Sequence, residues 1–236
     1  MDTVTFGTKN SYTDFGLILS SKSVSLPKAK TKTVEVPGAD GELDLTDVLT
    51  DEVKYSNRKL QFTFTVIDHF NGWAARLSQV TNYLHGRRLK VMMDWDRHYY
   101  YEGRCTVNSL KSKKRTATIV IDVDASPWKM ERNAIYQPWE WDDFCFIDGI
   151  IRKNIFHIIG GAVGGQDITL INTRKPTSPT ITCSVALVFT LNGVTVNVPP
   201  GTTTLNTVKM VEGENIAHIS ASADDDIEIT WKGGSL

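Results

Sequence analysis

Cysteine is scarce in this chain, and its spacing excludes the roles that cysteine most often plays in a fold. Three residues in 236, Cys105, Cys145 and Cys183, form no C-x-x-C pair and no even set. Neither a disulfide framework nor a structural zinc site is expected, and buried free thiols in a reducing compartment are the simpler reading. An excess of positive charge is also missing. Twenty-six basic residues face 27 acidic ones, for a net charge of −1. That excludes a general polyanion binder, because counterion release on nucleic acid needs clustered cations. No apolar run approaches the ~20 residues that a membrane-spanning helix needs. The opening Met1-Asp2-Thr3-Val4-Thr5 has no basic segment followed by an apolar one, so no secretory signal is expected. No internal repeat of solenoid length is visible.

What is abundant is β-branching. Thr, Val and Ile number 26, 20 and 18, and such side chains suit a pleated, half-buried surface. Charge divides the chain: residues 1–136 hold 20 basic and 16 acidic residues, while residues 137–236 hold 6 and 11. Near the changeover, Pro127 and Pro138 bracket a polar stretch and bias the preceding residues away from helix. This predicts two domains, 1–132 and 133–236.

In the first part Leu60, Phe62, Phe64 and Val66 alternate with polar residues, which predicts a strand with one buried face. Trp73, Leu77, Val80 and Leu84 recur at helical spacing, with Asn71 as N-cap and Gly86 at C′. Strands are expected again at 89–93, 99–107 and 119–123, with Lys111 to Arg115 as a hairpin tip. The second part reads as strands throughout. Val185 to Leu191 and Val194 to Val198 flank Asn192-Gly193, the strongest short hairpin signal. Further strands are expected at 168–171, 180–183, 205–210, 216–220 and 227–231. Their spacing suggests a β-sandwich of the jelly-roll kind.

Chemistry-bearing patterns are thin. Gly160 to Gly165 lacks the lysine and hydroxyl of a phosphate loop, so a flexible surface loop is expected. The histidines at 69, 85, 98, 157 and 218 make no metal-ligand spacing. Asp94/Asp96 and Asp122/Asp124 pair carboxylates at i, i+2, but a glycosidase needs its two acids across a cleft, which one strand cannot create. Asp40-Gly41-Glu42-Leu43-Asp44 lacks the oxygen spacing of a calcium loop. Trp139 and Trp141 could stack on a sugar ring; beside a linker, sealing two domains together is the better use of such area. No catalytic residue, metal or cofactor is expected.

One segment is specific. Val34-Glu35-Val36-Pro37-Gly38-Ala39-Asp40-Gly41-Glu42-Leu43-Asp44-Leu45 is preceded by Phe15-Gly16-Leu17 and Pro27-Lys28-Ala29-Lys30. It is followed by Tyr55-Ser56-Asn57-Arg58 and the strand to Val66. This order resembles the distal tail protein family of siphophages and related prophages. Tyr100-Tyr101-Glu102-Gly103-Arg104 and Ala125-Ser126-Pro127-Trp128 are similar to the close of that family's N-terminal domain. Ile171-Asn172-Thr173, Pro179-Thr180-Ile181 and Leu191-Asn192-Gly193 suit its C-terminal domain.

The resemblance implies a mainly β protein with one amphipathic helix: an N-terminal β-sandwich-like ring domain and a C-terminal galectin-like β-sandwich. It implies a structural, non-enzymatic homo-hexamer at the virion tail tip, made in the bacterial host cytoplasm. Its partners would be the tail tube protein, a tail tip or fibre protein and a receptor-binding protein, with DNA passing through the channel without specific binding and no insertion into a membrane. Independently, Pro37 blocks strand continuation and Gly38 and Gly41 allow a sharp turn, so 34–45 should project as a hairpin. Pro37, Gly38, Asp40 and Gly41 are the candidate subunit-contact arm, and Trp139 and Trp141 the candidate interdomain seal. The alternative is a carbohydrate-binding, lectin-like module; a third reading, a tail-tip hydrolase, would need convergent carboxylates.

Overall fold

The computed structural model describes residues 2–38, 40–48, 52–67, 73–113, 116–132 and 153–236. They fall into two compact units, Met1–Lys129 with Leu236, and Met130–Ser235.

The first unit holds β1 (Val4–Phe6), β2 (Lys9–Asn10), β3 (Ile18–Val24), β4 (Thr33–Glu35), β5 (Glu42–Asp44) and β6 (Arg58–Ile67). After helix α1 (Trp73–Leu84) come β7 (Arg88–Met93), β8 (Tyr99–Lys113) and β9 (Thr116–Ala125). Seven of these strands form one antiparallel sheet in the order β2-β1-β7-β8-β9-β6-β3. The period-2 pattern does what it predicts. Leu60, Phe62, Phe64 and Val66 of β6, with Ala117, Ile119, Ile121 and Val123 of β9, put one continuous apolar face inward. Val80 and Leu84 of α1 pack onto it, and the helix stops where Gly86 takes φ 78°. Asn71, the expected N-cap, lies outside the described residues.

The sheet rolls on itself. Laid flat, β1 and β6 would stand about 19 Å apart, four strand spacings. Instead the Phe6 and Phe62 rings meet edge-on at 6.0 Å. At the rim, Lys22 of β3 reaches Asp2 at 2.7 Å and lies 3.5 Å from the Trp95 ring centroid. Rolling makes a sandwich-like body from one sheet, because aromatic rings from distant strands fill a shared interior. Cys105 sits there, fully buried, and desolvation pushes its thiol up to about 12.

The second unit contains β11 (Ile155–Ile158), β12 (Gln166–Asn172), β13 (Thr180–Cys183), β14 (Leu187–Leu191), β15 (Val194–Val198), β16 (Gly201–Thr204), β17 (Gly213–Ala221) and β18 (Asp225–Thr230). The short β10 (Lys129–Glu131) runs beside β19 (Gly234–Ser235). Two four-stranded antiparallel sheets, β11-β18-β13-β16 and β12-β17-β14-β15, bury a common core. Phe156, Ile158, Ile181, Ile227 and Ile229 come from one sheet, and Leu170, Leu187, Phe189, Leu191 and Ile219 from the other. This is the expected sandwich. At its β14–β15 turn Asn192 and Gly193 both take positive φ, 50° and 77°.

One expected strand is absent. Residues 205–210 form a turn and a loop whose Leu205, Val208 and Met210 are buried, at a spacing no strand face supplies. Val208 N–H donates to Leu205 O, and Leu205 N–H to Pro179 O. The strand is instead β16, in the glycine-threonine run just upstream, where Thr202 and Thr204 pair their hydroxyls with Thr182 and Thr180. The Gly160–Gly165 loop is also more closely packed than expected. A Cβ on Gly160 would stand 2.1 Å from the Ala223 carbonyl carbon, and one on Gly165 would stand 2.5 Å from His218 Nε2. Gly160 N–H donates to Asp224 Oδ1 at 2.7 Å.

Candidate subunit-contact arm

The segment between β3 and β6 leaves the rolled sheet and returns to it. Its root is a zipper of backbone bonds: Ser25 N–H to Lys59 O at 3.0 Å, Ser56 N–H to Lys28 O at 2.8 Å and Lys30 N–H to Lys54 O at 2.7 Å. Arg58 anchors the root. It is 3% exposed, donates from Nε to Ser25 O at 2.8 Å and from Nη1 to Pro127 O at 3.3 Å, and lies 5.1 Å from the Tyr101 ring centroid. Tyr55 packs edge-on against Trp128 at 5.5 Å.

Beyond the root, β4 and β5 pair only with each other. Every residue of both strands is exposed. The chain turns at Pro37, Gly38, Asp40 and Gly41, and the two glycines take φ 85° and 80° with open space around them. The structure therefore brings the four residues expected at a projecting tip together at one. Asp44 accepts the Thr46 N–H at 2.9 Å, and bonds from Thr46 hold its carboxyl below the usual range.

The register gives this ribbon two faces. Val34 stands opposite Leu43, and Glu35 opposite Glu42. With alternation, Val34, Val36 and Leu43 make an apolar face, and Glu35, Glu42 and Asp44 an acidic one. Val34, Val36 and Leu43 are 39%, 44% and 54% exposed, and Leu26 near the root is 78% exposed. Sequence reasoning found the tip but not the two faces, although the V-E-V and E-L-D alternation carries that signal. By contrast, the apolar face of β6 is spent in its own core and offers nothing to a neighbour.

The other expected sites do not assemble into chemistry. Asp94 and Asp96 lie in the turn after β7. Asp94 accepts the Thr3 amide and hydroxyl, and Asp96 pairs with Lys129 at 3.2 Å. Asp122 accepts the amides of Gln61 and Asn108 at 2.9 and 2.7 Å. These carboxylates serve as structural acceptors. Among the described residues no cluster of three His, Cys, Asp or Glu could hold a metal ion. Trp139 and Trp141 lie outside the described residues. A shallow depression of ≈ 520 Å³ on the second unit is lined by Val188, Asn197, Pro199 and Ser220 among others. On their strands the outer sandwich faces carry no Phe, Tyr or Trp, only residues such as Thr190, Thr195, His218 and Asp226, so a broad stacking platform for sugar is missing among the described residues.

A rolled, helix-backed sheet with a projecting hairpin, followed by a two-sheet sandwich, is a fold already seen in a phage hub protein. Structural comparison bears this out: the chain is similar to the crystal structure of the Dit protein (gp 19.1) of phage SPP1, described as a paradigm of the hub adsorption apparatus in Gram-positive infecting phages. The TM-score is 0.64 at 13% identity, with all of both chains covered. No family model and no curated protein matches the sequence.

Proposed function

We propose that this chain is a structural protein of a phage tail tip. Its N-terminal unit would close into a homo-hexameric ring that joins the tail tube to the baseplate or tip fibre and leaves a channel for DNA. The observation that carries this reading is the fold shared with SPP1 Dit over the full length of both chains. The exposed hairpin supports it. A two-stranded ribbon alone is marginal in water, and one with an apolar face gains by packing on a partner. A head-to-tail contact between identical chains must close by rotation, or it builds an open filament. The near-zero net charge suits a conduit, since a strongly basic lumen would hold DNA.

The test is mass by light scattering over a concentration series, with negative-stain imaging of the concentrated fraction. A six-fold ring is expected, and deletion of residues 38–41 should weaken it while leaving the far-ultraviolet circular dichroism unchanged. A monomer at every concentration would overturn the ring. A ring indifferent to the deletion would remove Pro37, Gly38, Asp40 and Gly41 from the contact.

A further inference from the structure

The arm is electrically polarised along its length. Lys28, Lys30, Lys32 and Lys54 lie at or beside its root, and Glu35, Asp40, Glu42 and Asp44 lie beyond them, all exposed, while Asp47 and Glu52 sit back on the returning segment. Among the described residues of the arm, Lys54 alone has an ionic partner, the nearby Glu52. Among the described residues Lys28, Lys30 and Lys32 meet no carboxylate, and Glu35 and Glu42 meet no cation. Glu35 and Glu42 are moreover directly opposite across the ribbon, a like-charge pair that destabilises an isolated hairpin. An unneutralised acidic face on a ribbon that has no sheet to lean on calls for cations from outside. The most available set of matching spacing is the row at positions 28, 30 and 32, whose alternate residues share one face of an extended segment.

We infer that the acidic tip of one copy docks on the lysine root of the next, so that successive arms lie tip on root around the assembly. This rests on the self-assembly proposed above and adds the contact that drives it. The apolar face of Val34, Val36 and Leu43 would be covered in the same step, while the charges set direction. Tip and root differ in sign, so the contact runs head to tail, and a tip on a tip or a root on a root is repelled.

Charge reversal in the full chain tests this. Glu35→Lys with Glu42→Lys reverses the like-charge pair on the ribbon, and Lys30→Glu with Lys32→Glu reverses two of the root lysines. All four positions are exposed, so circular dichroism should match the parent. Each pair should raise the concentration for half-assembly by roughly tenfold or more at low salt, where like-charge juxtaposition is strongest. An equimolar mixture of the two variants should assemble again, with copies alternating, and a ring of six closes because six is even. The chain with all four reversals should regain assembly alone, since the two exchanged pairs are again opposite in sign. Parent-like assembly by either single pair, or no recovery in the mixture, would overturn the tip-on-root contact and leave the ring standing. A parent that stays monomeric throughout overturns both, and one that stops at a dimer overturns the head-to-tail direction.

Discussion

Arg58 shows how one side chain ties an appendage to its body. A buried guanidinium without a carboxylate beside it is satisfied here by two carbonyls and the face of Tyr101. Each hydrogen bond to a charged group contributes ~1.5–3 kcal/mol, and removing the donor leaves the carbonyls of Ser25 and Pro127 short of a partner. Arg58→Met should therefore lower stability by about 2–4 kcal/mol in denaturant unfolding, and it should speed proteolytic cutting between 25 and 32, because Ser25 is the first residue of the root. A loss under about 0.5 kcal/mol, the range of an ordinary surface change, would show that the root holds without it. Asp225 plays a comparable part in the second unit. It takes the Ser184 hydroxyl and amide, both at 2.7 Å, at the corner between β13 and β14. The Ser184 hydroxyl is the main reason its carboxyl sits below the ordinary 3.8. A depressed acid contributes stability that is present above its unfolded value and is lost as pH falls through the folded value. The stability gap between the parent and Asp225→Asn should thus be constant near neutral pH and close on acidification below 3.8. A gap that persists at pH ~2 would assign it to packing instead.

At the scale of elements, the glycines at the start of the second unit divide into those that fill a tight space and those that turn the chain. Gly160 has no room for a Cβ against the backbone of Ala223, whereas Gly164, at φ 86°, faces open space. Gly160→Ala should cost about 1–3 kcal/mol, as overpacking does, because backbone cannot swing aside. Gly164→Ala should cost about 1 kcal/mol from its left-handed backbone alone. Equal thermal shifts for the two would contradict this division. The glycine run itself did not reveal the difference, since close approach depends on which strand end lies alongside. What was legible in the chain was periodicity: β6, β9, α1, β14 and β17 follow from alternation or helical spacing, because one face of each is buried. Strands β1 and β2 are too short to show a period, and residues 205–210 are apolar enough to suggest a strand although their buried side chains do not keep its alternation. The arm's tip was legible through proline and glycine, but its anchor was not. Nothing local tells a buried arginine from a solvated one.

At the scale of the whole molecule, the two apolar cores share no residue: one runs from Val4 to Ala125, the other from Phe156 to Trp231. Each is closed by its own sheets, and each holds fully buried large side chains such as Phe62 and Phe64 in one and Phe189 and Leu170 in the other. Burying one such side chain contributes ~1.5–3 kcal/mol, so each core gathers enough apolar area to stand without the other. The second unit, expressed as residues 153–236, should therefore fold alone and melt in a single cooperative transition. Limited proteolysis of the full chain should release a fragment of that kind after cutting between 125 and 165. The charge shift in the sequence is a further reason to expect such a division, because each half carries its own balance of acids and bases. A fragment with no cooperative transition, or a full chain that resists cleavage throughout 125–165, would mean that the cores are separate in composition but folded as one. Were the second unit to unfold first in the full chain, the arm and its assembly should survive it, since every residue of the arm and its anchor belongs to the first unit. Light scattering on the protein heated between the two transitions would then still detect the assembled species, and loss of assembly at the first transition would place part of the contact on the sandwich.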